Sequence, residues 1–225
     1  MAPVRVSFLV PAYNEAATIG EVLERIARLD LEPQVIVVDD GSTDETAAIA
    51  ERAGALVIRQ ANRGKGAAIR VAIPHVESEI VVIQDADMEY DPTEVPSLIE
   101  PIVRGNADVV FGSRLSGGRP QRAYLFWHLI GNRFLSLLTG VLFNTTLSDM
   151  ETGYKAFRAD VLRSLDLRQD GFGIEPEITG EICKRHLRVY ELPISYYGRT
   201  YAEGKKITWR DGFKAIWVLV AVRFR

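Results

Sequence analysis

The sequence predicts an α/β protein built on a doubly wound, mostly parallel sheet flanked by helices, with an amphipathic helix at its C-terminus. Short apolar runs rich in β-branched residues alternate with segments of helical periodicity through the first half of the chain. Polar clusters follow the first, second and fourth of these runs, so they would meet at one edge of a parallel sheet. The length of 225 residues and the 47% hydrophobic content suit a single domain with a full core.

The first strand is predicted at residues 4–10, and the segment PAYNE follows it at residues 11–15. A helix comes next, because apolar residues recur at helical spacing over residues 19–29. The second strand, residues 35–38, is followed by the acidic turn DDGSTD at residues 39–44. Both strands therefore end in polar residues that are available to a ligand.

The second helix begins near that acidic turn, where Ser42 and Glu45 fit a capping box. The third strand is predicted at residues 55–58. The segment NRGKG, residues 62–66, then opens a third helix. It lacks the Ser or Thr and the spacing of a phosphate-binding P-loop, so it is not interpreted as one.

The fourth strand, residues 80–84, ends at Asp85-Ala86-Asp87, where the two carboxylates can turn towards one crevice. Two like charges so close are unfavourable unless a cation lies between them, and Mg²⁺ or Mn²⁺ binds carboxylate oxygens. Glu89 offers a third oxygen ligand. An isolated pair of this kind is more often an acidic turn before a helix. The convergence of polar clusters on one edge favours a ligand site here.

A further helix begins at Asp91 and Pro92, and a strand at residues 109–111 precedes Gly112-Ser113-Arg114. The second half of the chain is less regular. It is predicted to contain a long apolar helix at 123–143, helices at 160–165 and 175–186, a strand at 188–192 and a terminal helix at 208–224.

The composition excludes some classes of protein. A formal net charge of −3 gives no general case for nucleic-acid binding. The single cysteine, Cys183, rules out an internal disulfide framework, and with no signal peptide evident the chain is expected in the reducing cytoplasm.

Two predicted apolar helices are candidates for contact with a membrane. Residues 123–143 are interrupted by His128, Asn132 and Arg133, so this helix is expected to lie on a membrane or in a core and not to span a bilayer. The terminal helix places Phe213 and Trp217 at helical spacing beside cationic residues. That pattern fits an interfacial helix and equally fits ordinary packing against the domain.

Six motifs carry a resemblance to a known family. In chain order they are PAYNE (11–15), DDGSTD (39–44), RGKG (63–66), DAD (85–87), GSR (112–114) and TGYKAFR (152–158). Their order and spacing resemble the family 2 glycosyltransferases with the GT-A fold, and within them the polyprenyl-phosphate enzymes of the dolichol-phosphate mannose synthase type. The resemblance implies a single GT-A domain over residues 1–225, with a nucleotide-sugar-binding half at 1–115 and an acceptor- and membrane-facing half at 116–225.

The resemblance also implies roles for individual residues of the donor site. Asp87 and Arg114 would act on the reacting groups. The expected nucleotide-sugar contacts are Pro11, Tyr13, Glu15, Val38, Asp40, Asp85, Ala86, Asp87, Glu89, Arg114, Arg199 and Lys205. Asp85 and Asp87 would hold Mg²⁺ or Mn²⁺ together with Glu89, which stands where mannose synthase relatives often have Gln. The loop that contains Arg199 and Lys205 keeps the family's Arg and Lys but not its Gly and Ser.

The acceptor site is less defined. Arg122 and Arg133 are candidates to bind a lipid phosphate, and Asp149, Glu175 and Glu177 are candidates to orient the acceptor. Each has a structural alternative. The two glutamates suit the first turn of a helix, the aspartate suits a turn, and the two arginines suit a solvated helix surface.

The expected function is metal-dependent, inverting transfer of a hexose from a nucleotide sugar to polyprenyl or dolichyl phosphate, by a peripheral protein at the cytoplasmic face of the membrane. GDP-mannose is the first choice of donor and UDP-glucose the second, and a membrane-anchoring partner is left open. One alternative is a sugar nucleotidyltransferase, although the Gly-rich loop with which such enzymes tend to begin is absent. Another is an inactive nucleotide-sugar-binding protein, although Asp85, Asp87 and Arg114 are all retained.

Overall fold

The computed structural model describes residues 4–122, 125–200 and 209–225, and for residues 209 and 210 the backbone only. In this part of the chain the strands are β1 (Arg5–Ala12), β2 (Glu32–Asp39), β3 (Leu56–Arg59), β4 (Ile80–Ile83), β5 (Val109–Ser113), β6 (Lys155–Arg158) and β7 (Val189–Pro193). They form one sheet in the order β3-β2-β1-β4-β6-β5-β7. All neighbouring strands are parallel except the pairs that contain β6.

Helices cover both faces of this sheet. They are α1 (Ile19–Ala27), α2 (Thr46–Arg52), α3 (Lys65–Ala72), α4 (Val95–Val103), α5 (Phe126–Phe143), α6 (Ala159–Ser164), α7 (Ile174–Lys184) and α8 (Trp209–Phe224). One core contains residues of α1, α2 and α4, and the other contains residues of α3 and α5 to α8. The predicted α/β fold with a mostly parallel, doubly wound sheet and a C-terminal helix is confirmed.

Strand β6 was not predicted. Its four residues, Lys-Ala-Phe-Arg, carry a cation at each end and resemble a surface loop. Lys155 is nevertheless fully buried, because its ammonium group forms an ion pair with Glu175. The strand pairs antiparallel with both β4 and β5 and so joins the two parallel parts of the sheet.

The capping box predicted at the start of α2 is wrong. The helix begins at Thr46, whose backbone N–H is capped by Asp44 Oδ1 at 3.0 Å. Ser42 Oγ instead accepts the backbone N–H of Asn14 at 2.9 Å, and Thr46 Oγ1 accepts that of Glu15 at 2.9 Å. The DDGSTD turn therefore holds the PAYNE segment in place above the ends of β1 and β2.

Helices α5 and α8 expose apolar stripes. They pack against each other, and Arg223 Nε on α8 donates to the carbonyl of Leu142 on α5 at 2.9 Å. Helix α5 is long and apolar enough to cross a membrane by length and composition alone, and 22% of it is buried. The exposed apolar residues are Phe126, Trp127, Ile130, Phe134, Leu137 and Val141 on α5, and Phe213, Trp217, Val220 and Phe224 on α8.

The start of α3 packs tightly against the segment before α7. The backbone N–H of Ala67 donates to the carbonyl of Asp170 at 2.9 Å, and a Cβ at Gly66 would collide with the carbonyl oxygen of Gln169. We expect Gly66→Ala to lower the free energy of unfolding by about 1–3 kcal/mol, because two backbone segments would have to separate.

Gly131 in α5 is the matched control, since nothing lies within 4 Å of the Cβ position there. Gly131→Ala should leave the free energy of unfolding unchanged or raise it by up to about 1 kcal/mol. Urea denaturation of both variants checks this, and equal effects at the two positions would contradict the packing described.

Candidate active site

A cavity of about 840 Å³ opens at the carboxyl ends of β1, β2 and β4. Its lining includes the turns that follow these strands and residues at the start of α5 and of α7. The turn after β4 contributes three carboxylates, at Asp85, Asp87 and Glu89. The start of α5 contributes the apolar side chains of Phe126 and Trp127, together with Leu125 just before it.

Asp85 is paired with a buried lysine. Lys65 Nζ, at the first residue of α3, lies 2.7 Å from Asp85 Oδ1 and 2.9 Å from Glu175 Oε1. Burial alone would lower the pKa of Lys65, but the two carboxylates outweigh it and hold that pKa above its usual value. Gly153 lies directly against this pair, since a Cβ there would be 2.6 Å from Asp85 Oδ2 and 2.7 Å from Lys65 Nζ.

Asp87 is paired with Arg199. The guanidinium lies 2.7 Å from Asp87 Oδ2 and binds both carboxylate oxygens of Glu15 at 3.0 and 3.1 Å. Burial raises the pKa of Asp87 to about 7, the charges of Asp85 and Glu89 add to the rise, and Arg199 opposes it. Arg199, in the segment after β7, therefore joins the PAYNE segment to the D-x-D pair.

Glu89 is held by protein groups. Its Oε2 accepts the hydroxyl of Tyr196 at 2.9 Å and its Oε1 accepts the backbone N–H of Arg199 at 2.7 Å. Arg199 is therefore a partner of both Asp87 and Glu89, whereas Asp85 is paired with Lys65. Among the residues that the structure describes, no three His, Cys, Asp or Glu side chains stand together in a way that could hold a metal ion. Metal ligation by Asp85, Asp87 and Glu89 stays a prediction.

Arg114 forms a forked pair with a buried aspartate. Its Nε and Nη2 donate to the two oxygens of Asp149 at 2.7 Å each, and its backbone N–H donates to Asp149 Oδ2 at 2.9 Å. Asp149 is fully buried, and the guanidinium lies over the ring of Tyr196, 5.1 Å from its centre. Asp149 therefore orients Arg114 at the cavity wall.

Glu151 also lines the cavity. Its Oε1 is buried, and within the described part of the chain this oxygen has no hydrogen-bond partner. Burial raises the pKa of Glu151 to about 7, and the negative charge of Glu175 adds to the rise against the opposing charges of Lys155 and Arg114.

The fold and the motifs agree with one family. Residues 7–166 match the domain described as Glycosyl transferase family 2. This chain belongs to that family. The resemblance that the six motifs indicate is confirmed.

Three curated relatives of this glycosyltransferase chain are similar over most of its length. Glycosyltransferase AglJ of Haloferax volcanii is 36% identical, and the match covers 88% of this chain and 64% of AglJ, so the chain spans less than two thirds of that protein. The dolichyl-phosphate hexose transferase of the same organism is 31% identical, with coverage of 83% and 80%. The undecaprenyl-phosphate mannosyltransferase of Micrococcus luteus is 30% identical, with coverage of 89% and 87%.

A solved structure shows the same fold. Glucosyl-3-phosphoglycerate synthase from Mycobacterium tuberculosis, in complex with Mn²⁺, uridine diphosphate and glucosyl-3-phosphoglycerate, superposes with a TM-score of 0.76. The sequence identity is 22%, and the match covers 98% of this chain and 78% of that chain. At this identity the likeness shows the fold alone, and the predicted GT-A fold is confirmed.

Most of the residues expected at the family's nucleotide site line the cavity. Pro11, Tyr13, Glu15, Asp40 and Ala86 do so. The carboxylate of Asp40 accepts the backbone N–H groups at positions 63 and 64, at 2.8 and 2.7 Å, so it also fixes the turn before α3.

Two expected nucleotide contacts are not at the cavity surface described. Val38 is 1% exposed and packs in the core, so its side chain does not line the cavity. Lys205 lies outside the described residues.

The candidate acceptor residues separate into two groups. Glu175 lines the cavity, and Asp149 reaches it through Arg114. Glu177 points elsewhere, because its Oε2 accepts the backbone N–H groups at positions 168 and 169 at 2.8 Å each. Arg122 and Arg133 are exposed and lie outside the cavity lining, and Arg122 donates to the carbonyl of Gly198 at 3.1 Å.

Lys65 was not expected as a site residue. The sequence signal was present, since Lys65 lies between two glycines in the RGKG motif. Gly64 and Gly66 let the start of α3 approach the segment at 169–171, and this places the lysine between Asp85 and Glu175.

The raised pKa of Glu151 predicts a pH-dependent stability. Because its pKa is about 7 in the folded protein and 4.5 is the usual value, the folded state binds this proton more tightly than the unfolded chain does. The resulting stabilisation is complete below the usual pKa and is lost as the pH rises through about 7. Glu151→Gln stays neutral at every pH. Its free energy of unfolding should equal that of the wild type at about pH 4.5 and exceed it by about 1–3 kcal/mol at about pH 8.

Urea denaturation at the two pH values measures this difference. Glu24→Gln on the exposed face of α1 is the control for the loss of one carboxylate elsewhere in the protein. A difference between Glu151→Gln and the wild type that does not change with pH would contradict the buried, proton-binding carboxyl.

Proposed function

We propose that this family 2 glycosyltransferase transfers a hexose from a nucleotide sugar to a polyprenyl phosphate, with metal dependence and inversion at the sugar. The observation that carries the proposal is the mixed lining of the cavity. It includes Asp85, Asp87 and two cations, which suit a diphosphate. It also includes Phe126 and Trp127, which are largely exposed and suit a lipid chain. The names of the two polyprenyl-phosphate relatives support the same assignment.

The carboxylate pair fits a hard divalent cation. Mg²⁺ and Mn²⁺ are commonly bound through one or two carboxylates, with substrate phosphates and water as the other ligands. Asp85 and Asp87 both line the cavity, and mutual repulsion with Glu89 contributes to the raised pKa of Asp87. Bound there, the ion would neutralise charge on a diphosphate leaving group. Glu89 stays a proposed third ligand, because a carboxylate oxygen that accepts one protein donor keeps a second lone pair.

Cationic side chains would also help to neutralise the charge on the diphosphate. Lys65 and Arg199 each contact one carboxylate of the pair, so they stand beside the position proposed for the diphosphate. Arg114, oriented by Asp149, is proposed to contact a phosphate group. Fixed positive groups at a site where negative charge develops lower the barrier without reorganisation.

The acceptor would need positioning more than activation. A phosphate monoester carries most of its second negative charge at neutral pH, so its oxygen is already a nucleophile. This is consistent with the partners of the acidic side chains in the cavity, because Asp149 and Glu175 are paired with cations. No strong general base is required by the proposal.

The choice of donor is proposed from the resemblance. GDP-mannose comes first and UDP-glucose second. A sugar nucleotidyltransferase is not favoured, because the family match covers residues 7–166 and includes all three strand-end motifs. An inactive binding protein is not favoured either, because Asp85, Asp87, Arg114 and Arg199 are all present with charged partners.

We also propose peripheral binding to the cytoplasmic face of a membrane, with a membrane-anchoring partner left open. The exposed stripes of α5 and α8 carry aromatic residues, and the exposed cations Arg133, Lys214 and Arg223 lie on the same two helices. Apolar insertion together with attraction to anionic lipid is the usual basis of interfacial binding.

Asp87→Asn tests the proposed metal and diphosphate site. We expect transfer to polyprenyl phosphate to fall by roughly 100-fold or more, because the variant loses a charged oxygen where the diphosphate is neutralised. The measurement is transfer of labelled hexose from GDP-mannose or UDP-glucose into a lipid extract, with Mg²⁺ or Mn²⁺. Asp166→Asn, at a largely exposed acid away from the cavity, should keep full activity. Retention of wild-type activity and metal dependence by Asp87→Asn would refute the role.

The membrane surface has its own test. The double variant Phe213→Ser and Trp217→Ser should reduce partitioning onto anionic liposomes by roughly 10-fold or more, since two exposed aromatic side chains are lost. Leu56→Ser on β3, which removes an exposed apolar residue elsewhere, should not change partitioning. Co-sedimentation measures both, and equal partitioning of the double variant and the wild type would contradict the proposed surface.

A further inference from the structure

Glu151 is an acid of the cavity wall whose buried Oε1 has no hydrogen-bond partner among the described residues. It lies between Asp149, which holds Arg114, and Gly153, which lies against the Asp85–Lys65 pair. A buried carboxyl oxygen without a donor is costly, so this group suits a ligand that would supply one.

The charges around Glu151 define what that ligand can be. The groups that face it are Glu175 on α7, Lys155 on β6, Arg114 after β5 and Asp149 on its own segment. Lys155 is paired with Glu175, and Arg114 is paired with Asp149. Neither cation therefore forms an ion pair with Glu151.

A phosphate is a poor match for this part of the wall. It would bring more negative charge to a position where an unpaired acid stands near Glu175 and Asp149. A sugar hydroxyl is a good match, because it can donate to the carboxylate and can accept from the protonated carboxyl. The pKa of about 7 means that both forms of Glu151 are present near neutral pH.

We propose that Glu151 is a specificity residue whose carboxyl binds a ring hydroxyl of the hexose carried by the nucleotide-sugar donor. The inference rests on the proposed function and assigns the hexose to the part of the cavity bounded by Glu151, Gly153 and Arg114. This position adjoins the diphosphate end, through the contact of Gly153 with Asp85 and Lys65. It does not include Tyr13 and Asp40, which the resemblance assigns to the nucleotide.

The test compares binding of a sugar nucleotide with binding of the nucleoside diphosphate alone. Calorimetric titrations with Mn²⁺ would use GDP-mannose, GDP, UDP-glucose and UDP on the wild type, Glu151→Leu and Glu151→Gln. Glu151→Leu should weaken the preferred sugar nucleotide by about 10-fold or more and leave its nucleoside diphosphate unchanged, because only the hexose loses a hydrogen bond. Glu151→Gln keeps a polar group of the same shape and should bind both within about 3-fold of the wild type.

Donor analogues that lack one ring hydroxyl at a time complete the test. One analogue should bind the wild type and Glu151→Leu equally, since the contacted hydroxyl is already missing. Equal loss of sugar nucleotide and nucleoside diphosphate by Glu151→Leu, or no loss at all, would overturn the role of Glu151 while leaving the proposed function intact. Binding of the nucleoside diphosphates but of no sugar nucleotide by the wild type would overturn both.

Discussion

The crowding of carboxylates at the carboxyl end of the sheet is the constraint on which the site depends. Asp85, Asp87 and Glu89 follow one buried strand, and they lie close enough for the charges of Asp85 and Glu89 to raise the pKa of Asp87. Such a group of acids persists in a folded protein only when cations or hydrogen-bond donors compensate it. The chain supplies these from distant segments, with Lys65 at the start of α3 and Arg199 after β7.

This compensation also organises the surrounding structure. Arg199 joins the segment after β1 to the segment after β4, and Glu89 holds the backbone of Arg199 and the hydroxyl of Tyr196. Tyr196 in turn lies under the guanidinium of Arg114. Glu89 therefore contacts the backbone of one cavity cation, Arg199, and the aromatic residue that lies under the other, Arg114.

The sequence predicts the parts of the site that depend on local pattern. The strands β1, β2 and β4 are apolar runs, and the polar residues that follow each one lie at the same edge, as the parallel arrangement requires. Contacts between distant segments leave no such local signal. Arg199 and Glu15 are 184 positions apart, and no pattern near either residue indicates that they pair.

Some roles depend on partners that the local sequence does not reveal. Lys155 is buried, because Glu175 on another element balances its charge. Glu89 accepts from Tyr196 and from the backbone of Arg199, which lie 107 and 110 positions away in the chain. Glu177, a candidate to orient the acceptor, instead accepts the backbone N–H groups at positions 168 and 169.

The central claim is that Asp85, Asp87, Lys65 and Arg199 form a clamp for the diphosphate of the donor. The most direct measurement is calorimetric titration of GDP and UDP, each compared with its nucleoside, with and without Mn²⁺. The clamp predicts that one diphosphate binds tightly only with Mn²⁺, and that its nucleoside binds weakly whether or not the metal is present. Diphosphate binding that is equally tight without metal, or nucleoside binding as tight as that of the diphosphate, would contradict it.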